Sequence, residues 1–311
     1  MRFVTFEEGG RVRAGVLQHA PAADGGPGTA DLLADLSHPA LSDCLGEVPP
    51  DLLAMITDGL GTIAERIAAR LDERPNAGAL GPLTGECLHL LAPIPTPPRI
   101  VGAAHNYACA LRERGLTPPE APVLFEKNPS TVIGPDAPVV LPTGVGGITY
   151  EAELAVVIGR RAEAVSLGAA LDHVAGYTLF NDVSASEVIR ADGGFERGKN
   201  FATFGPMGPW LATADSFDPA QGQRVTLTVD GTVRQDGSLA DLLFGVAELI
   251  SRLSREAALE PGTVIATGTP AGVAPVQVPP TWLRPDSVMV TAIQGLGQLR
   301  NPVRSEVPAD A

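Results

Sequence analysis

Tyr150-Glu151-Ala152-Glu153-Leu154-Ala155-Val156-Val157-Ile158-Gly159 is the stretch on which the reading of this chain turns. Its apolar, β-branched composition specifies a strand, and strand alternation puts Tyr150, Ala152, Leu154 and Val156 on one face. Glu151 and Glu153 then share the other face with Ala155 and Val157. Two carboxylates two positions apart in a strand are separated by roughly 6–7 Å at the backbone, close enough for their side chains to converge on one ion. Side by side in an apolar strand they repel unless a cation or proton intervenes. The ordinary reading of such a pair is the solvated face of an edge strand. Asp182 weighs against that reading, because it ends a second apolar strand, Gly176-Tyr-Thr-Leu-Phe-Asn-Asp182, and can supply a third oxygen. Three carboxylates suit Mg²⁺ or Mn²⁺, and Ca²⁺ also fits. No His and Cys cluster has the spacing of a zinc site.

Outward from this stretch, further strands are expected at 99–104, 137–142, 174–182, 224–231, 263–269 and 287–293. Residues 1–19 read as a hairpin, and 30–72 as helical from the three- and four-residue spacing of Leu, Ile and Ala. Helices are also expected at 106–114 and 239–257. Strands outnumber helices without a regular βαβ alternation, so the fold class is α+β and β-rich. The Gly/Pro-rich stretch after residue 73 and the Pro-rich 93–98 divide the chain into a smaller N-terminal α+β domain over 1–87 and a larger domain over 88–311.

The 311 residues carry a net charge of −14, which makes nucleic acid and anionic membrane poor partners and leaves a small molecule as the expected one. Cys44, Cys87 and Cys109 are odd in number and widely spaced, the start lacks a signal-peptide apolar region, and no apolar run is long enough to span a membrane. A cytoplasmic protein with free thiols is expected. Only two of the 22 basic residues are lysines, Lys127 and Lys199, against a background of arginine.

Four ordered motifs now bear on function: Y-E-A-E-L-A-V-V-I-G at 150–159, G-Y-T-L-F-N-D-V-S-A at 176–185, G-K-N-F-A-T-F-G-P-M-G-P at 198–209, and E-P-G-T-V-I-A-T-G-T-P-A-G-V at 260–273. With A-P-I-P-T-P-P-R-I-V-G-A-A-H-N-Y at 92–107, they resemble the fumarylacetoacetate hydrolase family across about residues 88–305. The resemblance implies a catalytic domain of mixed, rolled sheets, a homodimer, and Mg²⁺ or Mn²⁺ held by Glu151, Glu153 and Asp182. It implies cleavage, decarboxylation, dehydration or tautomerisation of 2-oxo acids and 1,3-diketones through an enolate-like intermediate. Lys199 falls on the family's active-site lysine, and Gly268 and Thr269 on a loop that contacts substrate oxygens, although a plain tight turn is the alternative there. Lys127 also matches a family position and reads as structural.

Two departures stand out. Where hydrolytic members read N-Y-x-x-H-x-x-E, this chain has Asn106, Tyr107 and Glu113 but Ala110 at the His position. Where the family reads S-A-R-D-x-Q, this chain has Ser186 for the Arg and Ile189 for the Gln. His105 is a candidate substitute base, with a packed residue as the alternative, and Arg190 a candidate substitute clamp. Lys199, Glu113 and His105 are therefore the catalytic candidates, and Tyr107, Arg190, Gly268 and Thr269 the substrate-binding ones. The near phosphate loop at 193–200 ends in Asn200 rather than Ser or Thr, and the FATFGPMGP that follows cannot continue as a helix. Hydrolysis of a C–C bond is the leading expectation. Tautomerisation, decarboxylation or dehydration at the same metal site is the alternative, and a non-catalytic binding protein the third reading.

Overall fold

The computed structural model describes residues 1–19, 31–82 and 88–307. In chain order the first strands are β1 (Arg2–Glu8), β2 (Arg11–His19), β3 (Asp31–Asp35), β4 (Ala79–Pro82), β5 (Leu88–Leu91), β6 (Ile100–Ala104) and β7 (Val123–Lys127). They are followed by β8 (Val132–Ile133), β9 (Val139–Leu141), β10 (Ile148–Thr149), β11 (Ala152–Ile158), β12 (Val174–Asn181) and β13 (Ser184–Ala185). The last are β14 (Gly205–Thr213), β15 (Arg224–Val229), β16 (Thr232–Ser238), β17 (Val264–Ala266), β18 (Val288–Ile293) and β19 (Gly297–Ser305). The helices are α1 (Leu52–Glu73), α2 (Ala108–Arg114), α3 (Ser186–Asp192), α4 (Glu196–Lys199) and α5 (Val246–Glu256). Among the described residues no helix is long and apolar enough to cross a membrane.

A large mixed sheet runs β4-β3-β2-β1-β14-β12-β11-β17-β6-β7, and a five-stranded sheet runs β16-β15-β18-β19-β9. The fold is α+β and β-rich, as the strand pattern implies. β11 lies inside the large sheet, antiparallel to β12 on one side and β17 on the other, so it is no edge strand. Its alternation holds: Leu154, Val156 and Ile158 enter the core shared with the five-stranded sheet. Ala155 and Val157 enter the core beneath α1. Both faces are dry, which removes the solvated-face reading of the Glu pair.

Three expectations need correction. The 30–72 segment is not one helix: β3 pairs with β2, and α1 starts only at Leu52. Pro39, Pro49 and Pro50 cannot sit inside a helix, and Asp51 caps α1 by accepting the Ala54 N–H at 2.9 Å. The helix expected from 239 begins at Val246, after a short 3-10 turn over Leu239–Asp241. β14 was not anticipated, because Pro206 and Pro209 within nine residues argue against a strand. The β12–β14 ladder accommodates them with a shift in register between Tyr177 and Leu179.

The boundary expected after residue 87 coincides with no break in the sheet. β1 pairs directly with β14, and Phe3 and Val16 share a core with Phe180 and Met207. Cys44 and Cys109 are free thiols, whereas Cys87 lies outside the described residues.

Asn106 ties the ends of these elements together. Its buried side-chain amide donates to Phe244 O at 3.0 Å and Thr267 O at 2.8 Å, and its Oδ1 accepts the Phe244 N–H at 2.8 Å. Asn106→Ala strands these groups without water, so a loss of about 2–4 kcal/mol is expected in urea unfolding at unchanged m-value. A change below about 0.5 kcal/mol would show that the amide is dispensable.

Candidate metal centre and active site

Strand register builds the site. Ala152 stands opposite Asn181 in the β11–β12 ladder, which brings Asp182 beside Glu151, and the Asp182 N–H donates to Glu151 O at 2.9 Å. On the other side Ala155 stands opposite Ala266, so the same register carries Glu153 to Gly268. The Gly268 N–H donates to Glu153 Oε2 at 2.8 Å. Gly268 must be glycine there: its φ is +98°, and a Cβ would stand 2.8 Å from Ala103 O. Glu151, Glu153 and Asp182 each offer a carboxylate oxygen within 4.8 Å of the others.

Two ammonium groups face this cluster. Lys199 Nζ donates to Glu151 Oε2 at 2.8 Å and to Asp182 Oδ2 at 2.5 Å. Lys127 Nζ forms an ion pair with Asp182 Oδ1 at 2.9 Å, and it also donates to the Lys199 carbonyl. Burial pushes the Asp182 carboxyl up, but Lys127 and Lys199 outweigh it and hold its pKa below the usual value. Burial works against the Lys199 charge as well, yet Asp182, Glu151 and Glu153 prevail and raise its pKa. Lys127 goes the other way, lowered chiefly by burial. Glu153 is buried and touches no ammonium group. Burial, with Asp182 and Glu151 nearby, pushes its pKa well above the ordinary carboxyl range.

With all three carboxylates ionised, the two ammonium groups would leave one negative charge over, on Glu153, which is why that carboxyl holds its proton when no cation is bound. A hard divalent cation fits this donor set and supplies the missing charge. Glu151, Glu153 and Asp182 would be its protein ligands.

A small inner cavity of about 50 Å³ opens beside the carboxylates, lined among others by His105, Ala110, Arg114, Lys199, Gly268 and Thr269. An adjoining cavity of about 310 Å³ shares Glu151, Lys199, Arg114 and Phe195 with it and adds Ser186, Ile189 and Arg190. Phe195 forms a roof, 5.2 Å from the Phe125 ring and 6.2 Å from the His105 ring, centroid to centroid. His105 ends β6 with φ +60°, a left-handed turn that separates it from the buried Asn106. Its pKa is lowered by burial first and then by Arg114 and Lys199.

These contacts decide among the sequence candidates. Glu151, Glu153, Lys199, His105, Gly268, Thr269 and Arg190 line one or both of the two cavities, with the buried Asp182 grouped with the two glutamates. Tyr107 does not: its ring is fully buried in the core and its hydroxyl has no partner among the described residues, so it has no surface for a substrate. Glu113 is exposed and accepts the Gly272 N–H at 3.0 Å, which holds it to that loop rather than to the inner cavity. One polar group of Gly268 and one of Thr269 are already engaged. The Gly268 N–H serves Glu153, while the Thr269 hydroxyl accepts from Gln235 and donates to Ala152 O. Those two groups brace the site, and both residues line the inner cavity. Lys127, read as structural, sits on Asp182 itself. The scarcity of lysine was the signal, and it pointed to both positions. Arg114 follows Ala110 by four residues and so shares its helix face, but that spacing does not show whether its charge is paired.

Comparison with known proteins settles the lineage. Residues 99–304 match the model of the fumarylacetoacetate (FAA) hydrolase C-terminal family. The chain belongs to this family. The fumarylacetoacetate hydrolase of the psychrophile Exiguobacterium antarcticum is 33% identical with a TM-score of 0.77, over 98% of this chain and all of that one. The maleylpyruvate hydrolase of Sphingobium sp. SYK-6, solved with manganese(II) and pyruvate, is 28% identical with a TM-score of 0.76, over 99% of this chain and all of that one. The 5-carboxymethyl-2-hydroxymuconate delta-isomerase of Mycobacterium smegmatis is 28% identical with a TM-score of 0.73 at the same coverage. Within this family of hydrolases and isomerases, the present chain presents the methyl group of Ala110 to the inner cavity.

Proposed function

We propose that this member of the fumarylacetoacetate hydrolase family is a divalent-metal-dependent enzyme that enolises a 2-oxo acid or 1,3-dicarbonyl compound. The observation that carries the reading is the convergence of Glu151, Glu153 and Asp182 within 4.8 Å at the foot of a small cavity. When bound, the ion supplies positive charge to adjacent substrate oxygens and lowers the cost of forming an enolate. The chain's own residues do the rest. Lys199 and Lys127 keep Asp182 ionised and fixed, and the Gly268 N–H orients Glu153. Phe195 and Phe125 restrict water above the site. His105, kept neutral by burial and by two neighbouring cations, is placed to take up a proton at a ring nitrogen.

Proton shuffling without an activated water is favoured by helix α2, where Ala110 offers no imidazole and Glu113 is held by Gly272. Isomerisation, the reaction class of the M. smegmatis relative, or decarboxylation is therefore the first reading. C–C hydrolysis with His105 activating the water is the second, favoured by His105 lining the inner cavity and by the hydrolase from Sphingobium.

Metal-loaded protein incubated in D₂O with acylpyruvates, 1,3-diketones and oxaloacetate separates these readings by NMR. Deuterium exchange at the carbon between the carbonyls, or release of CO₂, is expected without hydrolytic cleavage. Cleavage into a carboxylic acid plus a ketone from a 1,3-diketone, or into two carboxylic fragments from an acylpyruvate or oxaloacetate, would instead establish hydrolysis. His105→Ala is expected to slow either process by about 100-fold or more. No exchange, no cleavage and no CO₂ across the panel would overturn the enzymatic reading.

A further inference from the structure

Helix α2 carries an arginine with no carboxylate partner among the described residues. Arg114 lies in the last turn of α2, four residues beyond Ala110, and both line the inner cavity. It is half-buried, and its Nε is buried without a hydrogen-bond partner. No carboxylate among the described residues pairs with it, whereas its neighbour Arg112 reaches Asp241 at 3.7 Å. Burying an unpartnered guanidinium N–H is unfavourable, and the cost is relieved when an acceptor arrives.

The surroundings specify that acceptor. Arg114 also lines the outer cavity, together with Arg190. The acidic residue there is Glu151, which is already paired with Lys199 at 2.8 Å. The two guanidinium groups therefore leave a local positive charge, on a chain whose overall charge is −14. Ser186 and Ile189, where the resemblance leads one to expect an Arg and a Gln, line the same cavity and supply no charge of their own. An outer cavity of about 310 Å³ is at the lower end for a small-molecule site, which suits a short carbon chain.

We propose that Arg114, assisted by Arg190, is the specificity-determining residue of this site and binds a second, distal carboxylate of the substrate. The proposal rests on the reading above, in which the substrate's oxo-acid head is held at Glu151, Glu153 and Asp182. A guanidinium suits this role because it binds a carboxylate through two parallel N–H groups. It also relocates the clamp. The positive group comes from the face of α2 that carries Ala110 rather than from position 186.

The test uses isothermal titration of the full-length, Mg²⁺-saturated protein with matched acids. 2-Oxoglutarate and 2-oxopentanoate differ only in a terminal carboxylate against a methyl group, and 2-oxoadipate and 2-oxohexanoate repeat the pair one carbon longer. Oxalate serves as a probe of the head site alone. Wild-type protein is expected to favour the diacid in at least one pair by about 10–100-fold, the range of a charge-assisted pair. Arg114→Gln should reduce that ratio about tenfold or more, Arg190→Gln should reduce it less, and Arg114→Lys should retain part of it. A circular dichroism melt of each variant confirms that it folds. Equal affinities within both pairs, or a ratio unchanged in Arg114→Gln while oxalate still binds, would overturn the assignment. If oxalate itself fails to bind the metal-loaded wild type, the head-site reading falls first and the Arg114 proposal with it.

Discussion

Glu153→Gln is expected to abolish metal-dependent turnover and the rise in melting temperature on adding Mg²⁺ or Mn²⁺, while leaving the metal-free protein at least as stable as wild type. Glu153 is the carboxylate of the cluster with no ammonium partner, and its one hydrogen bond, from Gly268, can be accepted equally by a glutamine carbonyl. The substitution removes an anionic donor from a hard cation without leaving a buried charge exposed. Loss of outer-shell partners alone costs metal sites about 10–100-fold, so loss of a direct ligand should lower kcat/KM by at least about 100-fold. The stability effect has a definite sign. Burial and the neighbouring carboxylates raise the Glu153 pKa above the ordinary 4.5, so the unfolded chain gives up its proton first as pH rises. Between that value and the raised native one the folded state holds more protons, and stability falls with rising pH. Urea unfolding in EDTA at several pH values should therefore show a decline across that window in wild type, and a flatter profile in Glu153→Gln. Retention of the metal-induced rise in the variant would remove Glu153 from the ligand set.

Asp182→Ala should do the opposite to the fold. Asp182 is wholly buried and is the shared counter-charge of Lys127 and Lys199, whose side chains are only 1% and 3% exposed. Removing it leaves Lys127 with no carboxylate partner among the described residues and Lys199 with Glu151 alone. Breaking a buried pair in this way costs about 3–5 kcal/mol, against a total stability of about 5–15 kcal/mol for a typical protein. Asp182→Ala is thus expected to lose both metal binding and much of its stability, read as a large fall in urea midpoint even in EDTA. Equal stability of Asp182→Ala and wild type would mean that the two lysines find other partners or lose their protons. Two residues proposed to hold the same ion thereby differ in what they do for the fold, and the difference lies in which of them the lysines reach.

Much of the fold was legible because its signals are local. β11, β12, β15 and β18 each follow the period-two pattern or the unbroken apolar run of a buried strand, and their bounds fall within two or three residues of expectation. β14 and β3 were illegible for a physical reason. Pro206 and Pro209 oppose strand formation locally, and Asp31–Asp35 has helical composition. In both cases pairing with a neighbouring strand overrides the local preference. The N-terminal segment resembled a separate unit because its motifs differ, yet its hairpin continues the large sheet.

The metal cluster divides in the same way. That Glu151 and Glu153 share a face follows from the sequence alone, since alternation is a property of a single strand. That Asp182 meets them is decided by the register of β12 against β11, which no local pattern encodes. The lysines show the limit more sharply. Their rarity marked Lys127 and Lys199, but only the packing of β7 and α4 against the cluster sets both on Asp182 and neither on Glu153. Arg114 left no mark in the sequence, because an unpaired guanidinium can be recognised only once the positions of all its neighbours are known. Sequence by itself determined the carboxylates and the family. Tertiary structure decided how their charge is balanced and which cation is left for a substrate, because both depend on distances between groups far apart in the chain.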